Sequence, residues 1–149
     1  MHLPKSRLSG FTLVELIVVL AILSIILALV LVAINPAKRL SDAADTQRWS
    51  DINNILNAIN QYAADNKNLP PGVTTTAMKL SSPGATGFCN ALVNGGYLAV
   101  MPVDNSDGGA FTDCNNFTTG GTGYTVVRLT NGSVQVSTQN SSGPIKVVR

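Results

Sequence analysis

Histidine is almost missing from this sequence: a single residue, His2, stands at its start. One imidazole cannot build a His-rich zinc site, and beyond residue 2 no Ser/His/Asp or Cys/His arrangement can be assembled. No phosphate-cradling glycine loop and no dinucleotide-binding glycine pattern occurs. A pair of carboxylates acting alone is the remaining catalytic option, and carboxylates are few: seven aspartates and one glutamate, Glu15. No catalytic residue is assigned, no cofactor-binding residue either, and no enzyme is expected. Charged residues make up 12% of the chain and balance to a net +2. Lys38 and Arg39 are the one basic pair beyond residue 10, so nothing in the charge pattern calls for nucleic acid.

Apolar residues, by contrast, are concentrated. Residues 11–34 read FTLVELIVVLAILSIILALVLVAI, interrupted only by Thr12, Glu15 and Ser24. As a helix this run covers about 36 Å, enough for a bilayer core of about 30 Å. The opening MHLPKSRLSG is the charged start of a signal segment, but the apolar run is longer than a secretory core and its far end, VLVAINPAK, lacks a small-residue cleavage site. The run is therefore expected to stay on the protein as a single-pass anchor. Lys5 and Arg7 favour a cytoplasmic amino terminus, while Lys38 and Arg39 pull the other way. Glu15 is the most informative residue. A carboxylate inside a spanning helix costs about 2–3 kcal/mol near the centre and less toward an end, so it calls for a partner.

Residues 9–16, SGFTLVEL, resemble the type III signal of the type IV pilin and type II secretion major pseudopilin family. The matching parts are a short basic leader, a terminal glycine, a phenylalanine directly after it, a glutamate four residues on, and an unbroken apolar helix. The resemblance implies cleavage between Gly10 and Phe11 by a membrane-embedded prepilin peptidase, and methylation of the new amino terminus at Phe11. It also implies that Glu15 neutralises the amino terminus of a neighbouring subunit during filament assembly. The transferred chemistry is physically consistent. Cutting at Gly10 discards His2, Lys5 and Arg7, keeps the apolar run, and leaves an ammonium one helical turn from Glu15, where the helix dipole also favours a carboxylate. Residues 96–104 and 122–128 resemble segments of the same family more loosely.

Past the anchor, Asn35-Pro36 reads either as a helix start, with Asn as cap and Pro at the first position, or as a kink in one helix. Ile52, Ile55, Leu56, Ile59, Tyr62 and Ala63 recur at helical spacing, with Leu40 and Ala44 extending the stripe backward; Asp51, Asn53, Asn54, Asn57 and Asn60 take other faces. The helix is expected to end near Asn66-Lys67-Asn68, before Pro70-Pro71-Gly72. Residues 67–86 read as loop and residues 88–93 as a short helix. Residues 124–130 and 133–138 read as strands joined at Asn131-Gly132, and residues 145–149 as a last strand. Trp49 suits a core position or a subunit contact equally.

The expected organisation is thus a leader over residues 1–10, an apolar helix over 11–34, an amphipathic stalk helix over 35–66, and a globular loop-and-sheet part over 67–149. The fold class is α+β: a long N-terminal helix packed on a small antiparallel sheet. Cys89 and Cys114 pair if the globular part is exported and are buried thiols otherwise. A common pilin layout has the bridge tie down the C-terminal end, whereas here 35 residues follow Cys114. Asp104, Asp107 and Asp113 share a Gly/Asn-rich stretch. They form either a solvated turn or, as resemblance to major pseudopilins implies, a calcium loop, although the spacing fits no EF-hand. No other cofactor is expected.

Three functions follow from these features. The first is a pilin of a surface filament for adhesion, motility or DNA uptake. The second is a major pseudopilin forming a periplasmic piston of type II secretion. The third is a membrane-tethered binding module that never polymerises. The first two imply a helical homo-oligomer, a prepilin peptidase, an inner-membrane assembly platform and, before assembly, the lipid of the inner (cytoplasmic) membrane as partners. Nucleic acid would enter only indirectly, through DNA uptake.

Overall fold

A computed structural model describes residues 10–80, 83–104, 111–117, 122–140 and 143–149. Two compact units divide between Leu40 and Ser41. In the first, Thr12 has extended backbone and caps helix α1, Leu13–Ile34. Every described residue of this unit is exposed. A helix apolar on all sides has no single face to bury, which suits lipid or neighbouring copies rather than one globular core. Asn35 then adopts left-handed backbone (φ 45°) and ends α1. Its carbonyl accepts from Arg39 N–H at 3.3 Å and its side chain from Lys38 N–H at 3.4 Å, so the same residue caps α2, Pro36–Asn66. Asn tolerates this conformation better than most residues, and Pro36 follows where its missing N–H has no consequence. The choice left open at Asn35-Pro36 is settled as a break between two helices.

In the second unit, α2 buries Ile52, Ile55, Leu56, Ala58 and Ile59 against a sheet. Its buried stripe does not continue backward as expected. Leu40 is 74% exposed and Ala44 is exposed too, while Arg48 and Asp51 are each only 6% exposed. Asp51, read as solvent-facing, lies inside because partners meet it there. Lys67 takes left-handed backbone (φ 54°) directly after the helix ends. Trp49 is half-exposed.

The main sheet has four antiparallel strands. They are β1 (Met78–Lys79), β4 (Tyr124–Arg128), β5 (Val134–Asn140) and β6 (Gly143–Val148), in that spatial order. Between β1 and β4 in sequence lie β2 (Phe111–Asp113) and β3 (Asn116–Phe117), which pair with each other as a separate two-stranded sheet. Tyr124, Val126, Val134, Val136 and Ile145 point inward, as alternation requires. Five residues, 129–133, join β4 to β5, with three of them inside the pair Leu129 and Ser133: Leu129 N–H donates to the Ser133 carbonyl and Gly132 N–H to the Leu129 carbonyl, with Gly132 at φ 89° in the position that favours glycine.

Two expected loops carry strands. β1 lies inside 67–86, where two residues are too few to show a period; it forms because the edge of β4 needs partners, with Met78 opposite Val126 and Lys79 opposite Thr125. β2 and β3 lie in the Gly/Asn-rich stretch. Helix α3, Thr86–Cys89, runs into a π-type turn over Asn90–Asn94. Phe88, Cys89 and Leu92 from this region join the core. Gly95 closes the turn, and a Cβ there would sit 2.2 Å from the carbonyl oxygen of Ala91.

Candidate functional site

The N-terminal motif occupies one turn. Gly10 and Phe11 precede the helix, and Thr12 is its cap. Thr12 Oγ1 accepts from Glu15 N–H at 3.2 Å, and Glu15 Oε2 in return accepts from Thr12 N–H at 3.4 Å and from Thr12 Oγ1–H at 3.3 Å. This reciprocal capping box satisfies donors at the start of α1 and holds the carboxylate beside them. Phe11 is largely exposed beside it. Residues 1–9, with His2, Lys5 and Arg7, lie outside the described residues.

The second notable cluster belongs to the globular unit. Arg48 lies on the buried stripe of α2. Its Nε donates to Asp104 Oδ2 at 2.6 Å and its Nη2 to Asp104 Oδ1 at 3.0 Å, while Nη1 donates to Asp45. Thr138 Oγ1, on β5, reaches Asp104 Oδ2 at 3.2 Å and the Gly123 carbonyl at 3.0 Å. The Asp104 N–H donates to the Thr122 carbonyl at 2.9 Å. One turn further along α2, Asp51 accepts from Tyr124 O–H at 2.8 Å and from Gln47 Nε2–H at 2.8 Å. These pairs explain how three charged side chains, Arg48, Asp51 and Asp104, are tolerated inside: each buried charge is hydrogen-bonded.

The electrostatics make this cluster structural. The hydrogen bond from Arg48 to Asp104 outweighs burial and holds the guanidinium above its usual range. Burial first, and the bond to Asp51 second, push the Tyr124 phenol well above its own. Neither group can act as a base near neutral pH. A cavity of about 120 Å³ lies against Arg48, Asp51, Asp104 and Tyr124. An open groove of about 390 Å³ adjoins it between α2 and residues 98–103.

Cys89 and Cys114 are joined by a disulfide, their sulfurs 2.03 Å apart. The three candidate calcium aspartates have different surroundings. Asp104 is buried against Arg48. Asp113 is exposed and accepts from Asn115 N–H at 2.7 Å. Asp107 lies outside the described residues. Among the described residues no three His, Cys, Asp or Glu side chains come together as a metal site. Sequence reasoning missed Arg48, Asp51, Tyr124 and Thr138 as a unit. The available signal was spacing: 48, 51/52, 55/56 and 59 form one helical stripe, and its first two turns carry opposite charges.

A model described as the prokaryotic N-terminal methylation motif matches residues 5–31, which include Gly10, Phe11 and Glu15. The type II secretion system core protein G of Aeromonas hydrophila is 34% identical over 103 residues, 68% of this chain and 70% of that protein. The protein of the same name from Klebsiella pneumoniae is 31% identical over 99 residues, 66% of this chain and 69% of its own. No solved structure matches. The chain therefore belongs to the type IV pilin and type II secretion pseudopilin family, whose members are structural subunits and not enzymes.

Proposed function

We propose that the mature chain is a major pseudopilin that polymerises through its apolar helix into the periplasmic pseudopilus of a type II secretion system. The observation that carries this reading is the extent of the similarity to core protein G. It spans 103 residues, far more than the 5–31 segment matched by the methylation motif. A pilus subunit for adhesion, motility or DNA uptake was the leading expectation from the residues; the relatives favour the secretion reading over it. Before assembly α1 anchors the chain in the inner membrane, with Glu15 near one end. A prepilin peptidase cuts between Gly10 and Phe11 and Phe11 is N-methylated. Released from its cap, Glu15 pairs with the ammonium of a neighbouring Phe11, compensating both charges in apolar surroundings.

Mass spectrometry of the protein from its own cells tests processing: the expected amino terminus is Phe11 carrying one methyl group. Glu15→Ala is expected to insert and be cut yet fail to form filaments when assembly is followed in a shearing assay; normal filaments from it would refute the role of Glu15. Deleting the protein should block export of secreted proteins while leaving surface fibres intact. Loss of surface fibres with normal export would instead establish the pilus reading.

A further inference from the structure

Asp104 and Cys114 are each tied to the rest of the globular unit. Asp104 is tied to α2 by Arg48, to β5 by Thr138, and to Thr122 through its N–H. Cys114 is bonded to Cys89, the last residue of α3. The resemblance to major pseudopilins implies calcium here, with Asp104 among the carboxylates. Calcium takes six to eight oxygens at about 2.3–2.6 Å and draws on several carboxylates. Asp104 does not fit that duty. Its two oxygens face the fork of Arg48 at 2.6 and 3.0 Å, and both side chains are buried. A divalent ion at the same oxygens would lie against a guanidinium in a poorly solvated site, where like charges repel strongly. Asp113 is exposed and directed to the turn at Asn115.

We propose that Arg48 is the built-in cation of this subunit: its guanidinium does at Asp104 the tying that a bound divalent ion would do, so the globular unit holds its shape without calcium. A planar five-donor group matches a carboxylate in two parallel hydrogen bonds, and it ties Asp104 to α2. The tie is therefore present as soon as the chain folds and does not follow the calcium level outside the cell.

The experiment is a set of thermal melts of the full chain in detergent, read by near-UV circular dichroism, with millimolar calcium chloride or with a chelator. The wild-type melting temperature is expected to be the same in both. Arg48→Met should melt about 10 °C lower, because it strands a buried carboxylate. Arg48→Met combined with Asp104→Asn should recover part of that loss. A wild-type melt raised by calcium overturns the proposal, and so does an Arg48→Met protein that melts like wild type. Where Arg48→Met yields no folded protein, the double variant decides: a folded double supports the proposal and an unfolded one overturns it.

Discussion

Tyr124→Phe removes one oxygen from the fully buried ring of Tyr124 and leaves its packing intact. The lost hydroxyl donates to Asp51 Oδ2 at 2.8 Å. A hydrogen bond to a charged group is worth about 1.5–3 kcal/mol, and a stranded carboxylate oxygen adds to the loss. Asp51 keeps its bond from Gln47, so the middle of that range applies, about 2 kcal/mol at neutral pH. The same residue predicts a pH signature. Burial and Asp51 raise the folded-state pKa of Tyr124 above its usual 10.0. The folded state therefore keeps this proton longer than the unfolded chain does. The stability so gained is fully present below pH 10.0 and drains away as the pH climbs toward the folded value. Between pH 10.0 and the folded value the wild type should lose up to about 1.4 kcal/mol per pH unit that the Phe variant does not lose. The gap between them should narrow with rising pH. Urea titrations of both proteins in detergent, followed by near-UV circular dichroism from neutral to about pH 11, measure it. Equal stability at neutral pH, or a gap that stays constant with pH, would refute the reasoning.

Replacing Cys89 and Cys114 together by Ser should cost about 3 kcal/mol for a loop of this length, and reductant should destabilise the wild type by a similar amount in the same titration. Gly132→Ala meets open space but is strained at φ 89°. It should lower stability by about 1 kcal/mol without changing the fold, read as a shifted urea midpoint with an unchanged slope.

The anchor and the motif were legible from the order of residues alone. A run of apolar residues needs no partner to declare itself, and Gly10, Phe11 and Glu15 are neighbours in sequence, so no folding is needed to bring them together. The inward face of β5 was legible for the same reason: Val134 and Val136 alternate with polar residues in a strand long enough to show the period. The two-residue β1 was not, because an edge strand that short is defined by the backbone of β4 and not by its own pattern.

The break at Asn35 stood between two readings until the backbone chose one. Either is compatible with Asn-Pro, and only the actual φ of Asn35, 45°, makes one residue the end of α1 and the cap of α2. The polar interior is the clearest case of tertiary decision. Arg48 and Asp104 are 56 residues apart, and Asp51 and Tyr124 are 73 apart. Nothing local distinguishes Asp104 as the partner of an arginine from Asp104 as a ligand in an oxygen-rich loop. The order of residues alone was enough to read an apolar helix behind a prepilin-type motif, because that information is contiguous. Which charges are buried, and that Asp104 meets an arginine, only the tertiary structure decided, because a buried charge is defined by partners that folding brings from distant parts of the chain.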